Sequence, residues 1–175
     1  MSEKAKGFAP IVGKKATHLI LGTMPGQRSL AESAYYAHPR NAFWPIMTAW
    51  LDWPPSLSYQ ERCARLSTAP VIVWDVLASC VRPGSLDSAI QADSIVPNDF
   101  AMLLTANPTI STVLYNGAKA SQLFARHVID QQALPAQELS HITLPSTSPA
   151  FASMPLAEKR RRWLAALPTL GAAFQ

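Results

Sequence analysis

The sequence contains few cysteines: Cys63 and Cys80 are the only two in its 175 residues. Two thiols cannot supply the four ligands of a structural zinc site or an iron–sulfur cluster. Residues 1–7 are polar and lack the apolar stretch of a secretory signal, so reduced thiols are expected, as in a cytosolic protein. We therefore expect no metal, no other cofactor and a cytoplasmic location.

Charged residues are also scarce, at 15% against 49% apolar residues. This balance excludes a disordered or fibrous chain and is typical of a compact globular protein. No apolar run is long enough to span a membrane, so no membrane contact is expected. We expect a single domain spanning residues 1–175, acting as a monomer. The net charge of +4 permits contact with a polyanion but does not by itself indicate one.

Apolar and β-branched runs alternate with helical patterns along the chain. The runs predict four strands, at residues 18–21, 71–76, 111–115 and 141–144. Helical patterns cover residues 43–51, 58–66, 99–106, 117–132 and 156–167, and Ser58 and Glu61 have the spacing of a capping box. Residues 78–97 read as a loop with a short helix at 86–91. The alternation predicts an α/β fold, with a central, mostly parallel four-stranded sheet inside three α/β/α layers.

Ligands in such sheets bind beyond the carboxyl ends of the strands. The four predicted strand exits therefore define the expected site. They are Gly22-Thr23-Met24-Pro25-Gly26, Trp74-Asp75, Asn116-Gly117 and Pro145-Ser146-Thr147-Ser148-Pro149.

An aromatic and polar segment precedes the first long helix: Tyr35-Tyr36-Ala37-His38-Pro39-Arg40-Asn41-Ala42-Phe43-Trp44. Together with the Gly-x-x-Pro-Gly loop at Gly22, it resembles the uracil-DNA glycosylase superfamily, most closely its hypoxanthine-DNA (deoxyinosine) glycosylase branch. The resemblance extends through the segments 73–80, 84–87, 116–117 and 144–150. It implies a monofunctional enzyme that hydrolyses the N-glycosidic bond of a flipped, deaminated base in DNA, with hypoxanthine as the expected base.

The resemblance also implies roles for individual residues. Asn41 matches the asparagine that positions the attacking water, although an asparagine here is equally suited to capping the helix that follows. Tyr36 matches the aromatic residue that stacks on the flipped base, and its neighbour Tyr35 is then expected in the core. Asn116 is placed to read the edge of hypoxanthine, or alternatively to form an Asn-Gly turn.

The remaining site predictions concern loops. Gly22, Met24, Pro25 and Gly26 would border the substrate, while Ser146 and Ser148 would bind phosphate oxygens. Asp75 is either a general base or a residue that orders its loop. The basic run 159–162 is either a solvated face or a phosphate contact.

Two departures from the superfamily pattern bear on the substrate. Thr23-Met24 occupies the place where a carboxylate or asparagine often positions the water, so that duty passes to Asn41. Leu144-Pro145 replaces a histidine that stabilises departing uracil in many relatives. The alternatives left open are a mismatch-specific uracil-DNA glycosylase and a catalytically silent DNA-damage-binding module of the same fold.

Overall fold

The computed structural model describes residues 4–171. Its strands are β1 (Lys4–Lys6), β2 (Ile11–Val12), β3 (His18–Gly22), β4 (Val71–Asp75), β5 (Leu77–Val81), β6 (Val96–Pro97), β7 (Thr112–Asn116) and β8 (Ser140–Leu144). Its α-helices are α1 (Gln27–Glu32), α2 (Phe43–Trp50), α3 (Tyr59–Leu66), α4 (Phe100–Ala106), α5 (Ala118–Phe124) and α6 (Leu156–Ala166). Among these residues, no helix is both long and apolar enough to cross a bilayer.

The central sheet has the strand order β2-β4-β3-β7-β8. β4, β3, β7 and β8 are mutually parallel, with Gly22 aligned to Asp75 and Asn116 aligned to Leu144. All five residues of β4 are buried, as expected for a strand covered on both faces by helices. The predicted three-layer α/β/α architecture is confirmed. The strand count differs, because β2 adds a fifth, antiparallel strand of two residues beside β4.

A second, antiparallel sheet with the order β1-β5-β6 was not predicted. The interpretation of residues 78–97 as a loop was wrong at both ends, since Leu77–Val81 forms β5 and Val96–Pro97 forms β6. Leu77 and Cys80 are buried in the core, while small and polar residues between them hide the strand pattern. The short helix predicted at 86–91 is reduced to a single 3-10 turn, Asp87–Ala89.

Most helix boundaries follow from capping chemistry. The predicted capping box is confirmed: Ser58 Oγ accepts the Glu61 N–H, and the Glu61 carboxylate accepts the Ser58 N–H at 2.7 Å. Asp99 caps α4 through its carboxylate alone, which accepts the Met102 N–H at 2.9 Å. The helix predicted over 117–132 is α-helical to Phe124 and continues as a π-helical turn, Ala125–Ile129. α1 was missed because it has six residues and no side-chain cap.

Candidate active site

A cavity of about 380 Å³ opens at the carboxyl end of the parallel strands. Every residue predicted for the site contributes to its wall: Gly22, Met24, Pro25, Gly26, Tyr36, Asn41, Asp75, Asn116, Ser146 and Ser148. These residues come from distant parts of the chain, and the parallel register of β3, β4, β7 and β8 brings them to one edge. The volume lies within the range of small-molecule pockets.

Arg82 holds the Gly22–Gly26 loop in place and was not predicted from the sequence. Its buried guanidinium donates to the Met24 carbonyl at 3.3 Å and to the Pro25 carbonyl. It also faces the Asp87 carboxylate at 3.4 Å. Buried charges need such partners. Arg82 therefore couples the first loop to the loop that follows β5, and both loops form one wall of the cavity.

Asn41 lies half-buried on the cavity wall, just before α2. The N-cap position of α2 is Ala42, not Asn41, but the Asn41 Oδ1 accepts the Phe43 backbone N–H at 3.0 Å and so still satisfies a donor of the first helical turn. A carboxamide oxygen has two lone pairs, and one bond leaves it able to accept another. The capping bond thus fixes the orientation of the amide without excluding a second hydrogen bond from a water molecule.

Tyr36 and Tyr35 have different surroundings. Tyr35 is 3% exposed, meets Phe8 edge to face and donates its hydroxyl to the Ala9 carbonyl, as expected of a core residue. Tyr36 stacks on Phe43 with ring centroids 3.9 Å apart. A flipped base that stacks on Tyr36 must therefore use its other face. The Tyr36 backbone has φ of 55°, a left-handed conformation that is uncommon outside glycine and often found at functional sites.

Asp75 lies at the floor of the cavity and is 4% exposed. Its Oδ2 atom is buried and has no hydrogen-bond partner within residues 4–171. Burial, together with the charge of Asp87, raises the pKa of this carboxyl to about 7, although the Arg82 guanidinium opposes the shift. Asp75 therefore changes its charge near neutral pH.

Residue 22 must be glycine because the side chains at the floor of the cavity leave no space for a Cβ atom. A Cβ at residue 22 would lie 2.4 Å from the Asp75 Oδ1 atom and 3.1 Å from the Tyr36 hydroxyl oxygen. The first distance is far below van der Waals contact, so only glycine allows the carboxyl and the phenol to approach the backbone of β3.

Asn116 is bonded at both ends of its carboxamide to Thr147. Its Nδ2 donates to Thr147 Oγ1 at 2.8 Å, and its Oδ1 accepts the Thr147 N–H at 2.8 Å. This reciprocal pair joins the end of β7 to the 145–149 loop, and both residues are buried. Edge reading by Asn116 stays a prediction, and it would require the amide to share bonds it already makes.

Side chains of α6 also hold the 145–151 loop in place. Trp163 donates its indole N–H to the Pro145 carbonyl at 2.9 Å. Lys159 donates to the Phe151 carbonyl at 2.6 Å and lies against the Phe151 ring. The loop that carries Ser146 and Ser148 is thus fixed at the Pro145 and Phe151 carbonyls, which holds the two serines in one arrangement.

The basic run 159–162 does not form one uniform charged surface. Lys159 is buried beneath the loop, and both Arg161 and Arg162 pair with Glu158, at 2.8 and 2.7 Å. Arg160 is exposed. Phosphate contact by this run therefore requires either Arg160 or the release of a Glu158 ion pair. Within residues 4–171, no three His, Cys, Asp or Glu side chains form a metal-binding cluster.

The fold and the cavity together define an α/β/α protein with a small-molecule-sized site at its strand exits. A family model of the Uracil DNA glycosylase superfamily matches residues 10–169. A protein of Methanosarcina barkeri named hypoxanthine DNA glycosylase is 33% identical over 120 residues, which are 68% of this chain and 75% of that protein. The chain belongs to the uracil DNA glycosylase superfamily and is thereby a DNA glycosylase by class.

Two further similarities concern Methanosarcina acetivorans. A protein of this species, also named hypoxanthine DNA glycosylase, is 30% identical over 118 residues, covering 67% of this chain and 73% of that protein. The solution NMR structure of a protein from the same species, proposed to be a uracil DNA glycosylase, superposes with a TM-score of 0.74 at 26% identity. That superposition covers 94% of this chain and 96% of the other.

Proposed function

We propose that this protein is a monofunctional DNA glycosylase that removes hypoxanthine, the base of deoxyinosine, from DNA. The observation that carries the proposal is the single cavity in which Asn41, Tyr36, Asp75 and Asn116 meet at the strand exits. The two Methanosarcina relatives named hypoxanthine DNA glycosylase support the choice of base. A base inside a duplex cannot reach such a cavity, so the nucleotide must be flipped out of the helix.

In this reaction water attacks C1′ of the deoxyribose as the bond to the base breaks. The proton released by the water ends on the departing base, giving a free base and an abasic site. Asn41 is the residue proposed to hold that water, through the second lone pair of its Oδ1 atom. The capping bond to Phe43 supports this role, because a fixed amide positions a nucleophile at lower entropic cost. Residues 23 and 24 are threonine and methionine, so this position supplies no carboxylate or asparagine that could position the water instead.

The departing base carries developing negative charge, which hydrogen-bond donors aimed at it can stabilise. The proposed donors are backbone N–H groups of the Gly22–Gly26 loop, which Arg82 holds in place at the Met24 and Pro25 carbonyls. Ser146 and Ser148 line the same cavity on the opposite loop, where their hydroxyls are proposed to contact the DNA phosphates.

The test is an excision assay on oligonucleotides that each carry one hypoxanthine, uracil or xanthine, followed by alkaline cleavage of abasic sites. We expect hypoxanthine to be removed fastest under single-turnover conditions. Faster removal of uracil from G·U pairs would favour a mismatch-specific uracil glycosylase instead. Binding of the lesions without excision of any base would indicate a silent damage-binding module.

We also predict that excision leaves the DNA strand intact. Strand cleavage by a bifunctional glycosylase needs an amine that forms a Schiff base with the sugar. Among the described residues that line the cavity there is no lysine. Treatment of the reaction with sodium borohydride should therefore trap no protein–DNA adduct, and a covalent complex on a denaturing gel would contradict the hydrolytic mechanism.

A further inference from the structure

The floor of the cavity contains two buried polar groups that, within residues 4–171, make no hydrogen bond of standard geometry, although the Asn116 amide lies near one of them. They are the Asp75 Oδ2 atom and the Tyr36 hydroxyl. An unsatisfied buried polar group typically costs about 1–3 kcal/mol, so native proteins seldom retain two of them side by side. A buried polar group without a partner in a native structure calls for an explanation, and a functional role is one of the recognised explanations.

The two groups also converge on one place. The Asp75 carboxyl and the Tyr36 hydroxyl both adjoin the bare Cα of Gly22, where a methyl group would collide with the first and crowd the second. β3 and β4 fix this arrangement, since Gly22 and Asp75 are aligned in neighbouring parallel strands. Stacking on Phe43 fixes the position of the Tyr36 ring. The two strands and Phe43 therefore hold both groups in fixed positions.

We propose that the Asp75 carboxylate and the Tyr36 hydroxyl together read the edge of the flipped base, Asp75 accepting the ring N–H and Tyr36 donating to the adjacent carbonyl. This inference rests on the proposed glycosylase function and specifies how that site selects its substrates. It replaces the predicted stacking of the base on Tyr36, because a hydroxyl in the plane of the ring cannot reach the edge of a base stacked over that ring. Burial and the charge of Asp75 raise the pKa of Tyr36, with partial opposition from the nearby Asn116 amide, so the phenol keeps the proton that it donates.

The chemistry of the bases explains what such a pair selects. Hypoxanthine, xanthine and uracil each present a ring N–H beside a carbonyl, the product of replacing an exocyclic amine by oxygen. Adenine and cytosine present the reverse order, a bare ring nitrogen beside an amine. Because the glycosidic bond tethers the base, it cannot slide to exchange the two positions. An acceptor and a donor in fixed places therefore favour hypoxanthine and uracil over adenine and cytosine, the bases from which they derive. Guanine and thymine present the same order as the deaminated bases and must be excluded by other contacts.

Asn116 is less suited to this duty. Both polar ends of its carboxamide are bonded to Thr147, and a terminal amide can turn over to match either order of donor and acceptor. The structure instead gives Asn116 the position of a clamp on the 145–149 loop. If Asn116 read the base, Asn116→Ala would abolish the preference for hypoxanthine. If Asn116 only clamps the loop, the preference should remain.

The experiment compares binding of oligonucleotides that carry hypoxanthine with binding of oligonucleotides that carry unsubstituted purine, which lacks both the N1–H and the C6 carbonyl. A 2′-fluorinated sugar slows cleavage, so affinity is measured independently of catalysis. The wild-type protein should prefer hypoxanthine by roughly 10- to 100-fold at pH 8. Asp75→Asn and Tyr36→Phe should each reduce that preference by about 10-fold. Asp130→Asn, which changes an exposed aspartate outside the cavity, should leave it unaltered.

The pH dependence gives a second readout that a purely structural role would not produce. The ionised carboxylate is the better acceptor, so the wild-type preference should weaken as pH falls from 8 through 7 to 6. The Asp75→Asn preference should be flat over this range. The charged and titratable groups near Asp75 are Arg82 and Asp87 on the loop after β5, and Tyr35 and Tyr36 before α2.

The outcomes separate the two proposals. If Asp75→Asn and Tyr36→Phe keep the full preference for hypoxanthine, or if Asn116→Ala abolishes it while they do not, the edge-reading assignment is wrong. If the wild-type protein binds hypoxanthine selectively but releases no base in the excision assay, the glycosylase function fails and the edge reading stands. Tyr36→Phe preserves the ring that packs on Phe43, so this variant tests the hydroxyl even if Asp75→Asn misfolds.

Discussion

Asn41→Ala should lower the single-turnover rate of base excision by two or more orders of magnitude. The amide is the proposed holder of the attacking water, and loss of a positioned nucleophile forfeits much of the advantage of preorganisation. The same substitution also removes the bond from Phe43 N–H to Oδ1, which should cost about 0.5–2 kcal/mol of stability. Affinity for lesion-containing DNA should change little, because neither effect removes a contact with the base.

The two roles of Asn41 can be separated by matched substitutions. Asn41→Ser retains an oxygen that can cap the helix but lacks the longer amide, so it should restore stability without restoring the rate. Asp99→Ala removes the cap of α4, outside the cavity, and should lower the melting temperature without affecting excision per folded molecule. If Asn41→Ala is destabilised yet excises at the normal rate, Asn41 only caps α2, and the water must be held by another residue, with Asp75 the first candidate.

The parallel sheet was predictable because its strands are short apolar runs that end at turn-forming residues. Since parallel strands bring their carboxyl ends to one edge, the motifs at Gly22, Asp75, Asn116 and Ser146 had to meet there. The cavity does gather them. β5 and the second sheet were missed because Ala78 and Ser79 interrupt the apolar pattern. The segment becomes a strand by pairing with Lys4–Lys6, which lies far away in the sequence.

The chemical state of the site depends on contacts that no local pattern encodes. Nothing in the sequence around Arg82 indicates that its guanidinium reaches the Met24 carbonyl, 58 residues earlier in the chain. Nor does an Asn-Gly pair reveal that Asn116 is bonded to Thr147. Asp75 was recognised as the acid at a strand exit, but its missing partner and raised pKa follow from burial between β3 and the loop after β5.

Asp75→Asn should raise the melting temperature at pH 8 and leave it nearly unchanged close to pH 4. The native pKa of about 7 lies above the ordinary aspartate value of 3.8. The folded protein therefore binds this proton more tightly than the unfolded chain does. Stability linked to Asp75 is fully present below pH 4, declines as pH rises, and is lost above pH 7. Each tenfold change in acidity corresponds to about 1.4 kcal/mol, so the penalty at pH 8 is on the order of a few kcal/mol.

A neutral asparagine avoids that penalty at every pH, and at low pH it resembles the protonated acid that it replaces. Thermal unfolding of both proteins from pH 4 to pH 8 should therefore show curves that coincide at the acidic end and separate progressively through pH 7. If Asp75 instead ordered its loop by accepting hydrogen bonds as a carboxylate, ionisation would stabilise the fold, and the substitution would lower the melting temperature at pH 8. A more stable variant that discriminates poorly between bases would identify Asp75 as a residue kept for recognition at the expense of stability.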